Sequence, residues 1–92
     1  MSFYLVCYDI ADERIRERAA DILLRYGERV QESVYEVWLR DGRTLAELRD
    51  ELSEVLGEER QLRFYRLCGR CRRDSESLDG LPVASLPAAI IL

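Results

Sequence analysis

Histidine, lysine and asparagine are all absent from this 92-residue chain. The missing histidine removes the commonest general base and the commonest metal ligand, which excludes Ser–His–Asp triads, imidazole-ligated zinc sites and histidine acid–base pairs. Catalysis, if present, must rest on carboxylate, tyrosine, cysteine, arginine or a metal-bound water. Without lysine, every basic residue is arginine. A GC-rich or heat-adapted source explains that bias as readily as a function does, but in either case the planar guanidinium suits phosphate. Long apolar runs are also lacking. No stretch approaches the ~20 apolar residues of a membrane span, and the amino end carries no basic-then-apolar signal pattern. The cytoplasm is therefore the expected location, with no membrane partner.

The length allows one small domain and excludes a two-lobed enzyme with a large interdomain cleft. Such a short chain buries only a little over roughly 60% of its unfolded surface, so self-association is a natural way to cover more. At 48% apolar and 35% charged residues the composition is globular rather than disordered. Fourteen arginines against eighteen acids leave a net charge of −4, which speaks against a protein that simply coats nucleic acid. The charge is segregated, however. Glu58 to Arg73 holds six arginines and two acids, whereas Asp41 to Glu54 holds five acids and two arginines.

From Ser2 to Asp9, Phe3, Leu5 and Cys7 alternate with Tyr4, Val6 and Tyr8, the pattern of a central strand buried on both faces. Asp12 is placed to cap a helix carrying Ile15, Ala19, Ile22, Leu23 and Tyr26 on one stripe, with Gly27 to end it. Arg29 to Leu39 reads as two short strands or one bulged strand. Thr44 and Glu47 have capping-box spacing ahead of a second amphipathic helix with Leu45, Leu48, Leu52, Val55 and Leu56 on its stripe. Gln61 to Cys68 alternates again as a strand.

The order β-α-β(β)-α-β predicts an α+β ferredoxin-like split βαβ sandwich, an antiparallel sheet with both helices on one face, over residues 1–68. An open sheet face bearing Tyr4, Val6 and Tyr8 would be too apolar for a monomer, so a twofold homodimer is expected to cover it. Residues 69–92 read as a C-terminal extension for an interface or partner. Its strand-like end, Ile90-Ile91-Leu92, either packs on its own domain or adds to another chain's sheet edge.

Asp9, in Tyr8-Asp9-Ile10, lies just beyond the first strand, where metal and ligand sites often form and where turn and cap residues are also common. Arg16 and Arg18 follow on the helix, where Glu13, Glu17 and Asp21 are available to pair with them. Ser33 has no histidine or lysine to activate it, so a structural hydrogen bond is its expected role. Cys68-Gly69-Arg70-Cys71 is a single CxxC pair. A zinc site would need a second copy, and with no helix evident after the strand, a redox role is not favoured. Cys7 reads as a core residue.

Tyr8-Asp9-Ile10, Arg16 seven residues beyond the Asp, and the run Gly27-Glu28-Arg29-Val30-Gln31-Glu32-Ser33-Val34-Tyr35-Glu36 together resemble the small CRISPR-associated spacer-acquisition proteins, the Cas2 family. With Tyr65-Arg66-Leu67-Cys68, the resemblance covers the first three-quarters of the chain. It implies a homodimer that assembles with the CRISPR integrase and holds the DNA to be inserted. It also implies, for many members, a Mg²⁺-dependent endonuclease acting on single-stranded RNA or duplex DNA. In that picture Asp9 from each of two subunits approaches its twofold mate, and the pair holds one Mg²⁺ between the subunits. Tyr8, Arg16, Arg18, Arg29 and Tyr35 fall on positions tied to activity, the arginines on phosphates and Tyr35 stacking on a base or shaping the cleft. Tyr35 stands where phenylalanine is commoner. A non-catalytic bridge between integrase and DNA is the alternative, and a toxin-type RNA cleaver of the same fold is a further one.

Overall fold

The computed structural model describes residues 1–85, and the strand-like end expected at Ile90-Ile91-Leu92 lies outside them. Alternating apolar residues form β1 (Ser2–Tyr8). Asp12 then starts α1 (Glu13–Leu24) by accepting the backbone N–H groups of Arg14 and Ile15. β2 (Gly27–Gln31) and β3 (Val34–Leu39) follow as a hairpin, with its register shifted between Arg29 and Gln31. α2 (Gly42–Leu56), β4 (Leu62–Leu67) and the short α3 (Gly69–Arg73) complete the order. The sheet runs β2-β3-β1-β4 with every pairing antiparallel. This is the ferredoxin-like arrangement, in which β1 and β2 of a split βαβ unit are separated by β3.

The two long helices, α1 and α2, pack on one face of this sheet. Ala19, Ile22 and Leu23 of α1 and Leu48, Leu52 and Leu56 of α2 meet Val6, Tyr8, Tyr35, Val37 and Leu39, all buried in one cluster. Burial of each such large side chain stabilises by about 1.5–3 kcal/mol. The placement of Tyr4, Val6 and Tyr8 corrects the expectation from sequence: they face the helices, and the opposite parity, Phe3, Leu5 and Cys7, faces away from them. Because both parities of β1 are apolar, alternation alone does not say which one the helices cover.

The open face is partly covered from within the chain. Phe3 is buried, edge-on to Trp38, and Arg72 of α3 lies 5.0 Å over the Trp38 ring. The Arg72 guanidinium donates to the Ala84 carbonyl at 3.1 Å, and the Glu36 carboxylate on β3 accepts the Ala84 N–H at 3.1 Å. Residues 74–85 thus form a strap held to the sheet at Ala84. Beside the strap lies a groove of about 650 Å³, lined by Leu5, Val34 and Glu36 of the sheet and by Leu78, Leu81 and Val83 of the strap.

Two start and stop signals act differently from their expected roles. α1 stops at Leu24 with Arg25 as its cap, and Gly27 instead opens β2, where a Cβ would lie 1.9 Å from the Glu36 carbonyl oxygen. The N-cap of α2 is Asp41, which accepts the Thr44 N–H at 2.9 Å and its hydroxyl at 3.0 Å. Glu47 pairs with Arg43 rather than closing a capping box. Gly57 ends α2 at φ +57°, a conformation that favours glycine.

Candidate functional site

Where β1 ends, the sheet hands the chain to a loop that α1 holds in place. Asp9 follows the last strand residue, its N–H donates to the Gln61 carbonyl at 2.8 Å, and its side chain is exposed. Ile10 is buried beneath the loop, and Asp12 ends it as the helix cap. Arg16, one turn into α1, reaches back and donates to the carbonyls of Ile10 at 3.0 Å and Ala11 at 2.9 Å. Arg16 therefore staples the loop that presents Asp9. Among the described residues, no side chain bonds or ion-pairs with the Asp9 carboxylate.

A second arginine shapes the neighbouring turn. Arg29 on β2 donates through its Nε and Nη2 to the Glu32 carbonyl at 3.0 and 2.6 Å, closing the β2–β3 turn. Its guanidinium also lies 5.9 Å from the centre of the Tyr35 ring. Tyr35 and Tyr8 are buried with ring centres 5.9 Å apart and hydroxyls 3.4 Å apart. Burial, reinforced by the Tyr8 hydroxyl, pushes the Tyr35 phenol up to about 12. It stays protonated near neutrality and is no proton-transfer group there.

Between α1 and the β2–β3 turn lies a cleft of about 180 Å³, lined by Tyr8, Glu13, Arg16, Glu17, Ala20, Arg29, Glu32 and Ser33. The fold thus brings Tyr8, Arg16 and Arg29 to one place. Asp9 lies beside Tyr8 but outside this lining. Arg18, two residues beyond Arg16 and so about 200° around the helix, is exposed elsewhere on α1. Tyr35 lies on β3 with its ring fully buried, where it packs the core and offers no face to a base in this conformation. Ser33 contributes its carbonyl, which accepts the Tyr8 N–H at 3.1 Å.

The expected pairing of Arg16 and Arg18 with Glu13, Glu17 or Asp21 is absent. The ion pairs among the described residues are Arg25–Glu51, Arg43–Glu47 and Arg70–Asp74. Glu13, Glu17 and Glu32 were not anticipated as lining the cleft. The spacing Glu13, Arg16, Glu17, Ala20 puts them on one helical face, but sequence does not say that the hairpin turn comes to meet that face. With three acids against two arginines, the cleft is not a basic pocket. The excess positive charge instead lies on edge strand β4 and on α3, where Arg63, Arg66, Arg70 and Arg73 are exposed.

The described residues contain no group of three or more carboxylate, cysteine or histidine ligands close enough to hold a metal ion. Asp9 is an exposed carboxylate without a competing partner among the described residues. That fits Mg²⁺, which keeps several waters and needs one or two carboxylates, but it leaves the ligand set of one chain incomplete.

Fold and site together define a ferredoxin-like protein that presents a lone carboxylate from a stapled loop and carries arginine on its sheet edge. The family described as CRISPR associated protein Cas2 matches residues 1–75. A Synechocystis CRISPR-associated endoribonuclease Cas2 is 37% identical over the whole of both chains. A chain of a partial Cas6-RT-Cas1–Cas2 complex superposes with a TM-score of 0.85 at 31% identity, covering 94% of this chain and 100% of that one. Streptococcus pyogenes Cas2 superposes at 0.73 and 28% identity, over 83% of this chain and 98% of that one. The chain belongs to the CRISPR-associated Cas2 family and is a CRISPR adaptation protein.

Proposed function

We propose that two copies of this chain form a twofold homodimer in which Asp9 and Asp9 of the partner subunit hold one Mg²⁺, and that the dimer hydrolyses phosphodiesters of single-stranded RNA or duplex DNA. The observation that carries this reading is the Asp9 loop. A carboxylate that is exposed, and unpaired among the described residues, is presented at the end of a buried strand, and Arg16 holds it there through two backbone carbonyls. Two carboxylates brought together repel each other unless a cation lies between them. The bound ion would supply Lewis acidity and charge neutralisation at a phosphate.

The protein's own groups do the rest. Arg16 and Tyr8 fix the loop and the wall beside it. Arg29 keeps the β2–β3 turn in place, and the arginines of β4 and α3 hold flanking phosphates by charge-assisted hydrogen bonds. Arg18, exposed on α1, adds phosphate affinity at the periphery. The apolar groove on the open sheet face, with Leu78 and Leu81 exposed beside it, supports self-association there. No helix among the described residues is long and apolar enough to cross a membrane.

The bridging reading is favoured by one specific observation, the 0.85 superposition on a chain from a complex that contains Cas1. In that reading the dimer holds the integrase and the DNA, and the carboxylate is dispensable. Family membership argues against the toxin-type alternative. Spacer integration by the complex reconstituted from this chain and its integrase separates the two readings. Integration that survives Asp9→Asn assigns acquisition to the bridge, whereas integration lost from an intact dimer assigns the carboxylate a task in acquisition itself.

A further inference from the structure

The CxxC pair is unused by the site described above, and its surroundings differ from those expected from sequence. A helix does follow the strand, with Cys68 in the N-cap position of α3. Both cysteines are exposed and unbridged, and their sulfurs are 3.4 Å apart. That is about 1.4 Å longer than a disulfide bond, which places the two sulfurs in direct contact. The two thiols are also unequal. The Cys71 backbone N–H and then the Cys71 thiol hold Cys68 below its usual value, while contact with Cys68 pushes Cys71 above its own.

The pair also connects to the strap. The Arg72 N–H donates to the Cys68 carbonyl at 3.0 Å, and the same residue's guanidinium covers Trp38 and binds the Ala84 carbonyl. The Ser75 hydroxyl donates to the Cys71 carbonyl at 2.6 Å. A single helical turn thus joins the dithiol to the residues that hold the strap over the sheet.

We infer that Cys68 and Cys71 form a thiol–disulfide exchange site whose co-substrate is a low-molecular-weight disulfide, and that its oxidation state is transmitted through Arg72 to the strap. The Cys68 thiolate attacks one sulfur of the disulfide RSSR, forming a Cys68–SR mixed disulfide and releasing RS⁻, which takes up the proton that Cys68 lost. Cys71 then gives up its proton and attacks Cys68 Sγ, closing the Cys68–Cys71 bond and releasing the second RSH. The two protein thiols lose two electrons and two protons, and RSSR gains both to become two RSH. Excess RSH reverses the exchange.

The test uses the full chain equilibrated with mixtures of oxidised and reduced glutathione, followed by thiol counting and intact mass. The expected result is loss of two of the three thiols with no glutathione retained and no link between chains, Cys7 remaining alkylatable after unfolding. Cys71→Ser should trap glutathione on Cys68, whereas Cys68→Ser should react far more slowly. Equal reactivity of the two variants, retention of three thiols in wild type, or a disulfide between chains would overturn the assignment. The chain's single tryptophan, Trp38, reads the transmission. Its emission should change on oxidation of wild type and not in Cys68→Ser, and an unchanged emission in fully oxidised wild type would contradict coupling to the strap.

Discussion

At the residue scale, the arginines nearest the site act first on the protein's own backbone. Arg16 holds the Asp9 loop and Arg29 holds the β2–β3 turn, so their substitution changes the geometry of the site as well as its charge. Motif and spacing singled out both positions, but not these bonds, because a guanidinium's choice between a carbonyl and a phosphate is a matter of three-dimensional reach. Tyr35 illustrates the same limit. Sequence suggests an aromatic beside the cleft, yet the ring is buried and its phenol is pushed to about 12. Tyr35→Phe should therefore preserve Mg²⁺-dependent cleavage while lowering stability by about 1 kcal/mol for the lost contact with Tyr8, as cleavage assays and denaturant titration will show. In wild type the raised phenol contributes stability that is intact below pH 10, the ordinary tyrosine value. That contribution is lost as the pH rises through about 12.

At the scale of elements, helix stripes and strand alternation were legible because burial imposes periods of 3.6 and 2 residues. The details that escaped were those in which two segments meet. Gly27 was legible as a punctuating glycine, but its actual constraint is the β3 backbone: a Cβ there collides with the Glu36 carbonyl. Gly27→Ala should cost about 1–3 kcal/mol or more in a denaturant midpoint experiment and loosen amide protection in β2. Gly42→Ala, where added bulk meets nothing within 4 Å, serves as the control. The acid limb of stability should follow α2. The Thr44 N–H and hydroxyl hold the Asp41 carboxyl below its ordinary value, as Arg25 does for Glu51. Both contributions are complete above the ordinary carboxylate values and are lost as the pH falls through the lowered ones. Asp41→Asn with Glu51→Gln should flatten the decline in thermal midpoint below about pH 5.

At the scale of the whole molecule, the α+β order and the family were legible from the chain, whereas the side of the sheet left open was not, since both parities of β1 are apolar. The strap is not legible as a cover for that side, because it is held at Ala84 by Arg72 and Glu36 rather than by a periodic pattern. The arginines clustered on β4 and α3 predict that duplex DNA binds despite the net charge of −4, with affinity falling steeply as salt rises. Affinity that stays flat from low to high salt would contradict their assignment to phosphates. The central claim, that Asp9 supplies the carboxylate of a shared Mg²⁺ site, is tested most directly by cleavage of labelled single-stranded RNA and duplex DNA across a Mg²⁺ titration, with wild type and Asp9→Asn purified alike and matched for dimer content. Wild type should cleave in proportion to Mg²⁺ occupancy while Asp9→Asn stays at the background seen with chelator. Equal cleavage by the two proteins would contradict the account.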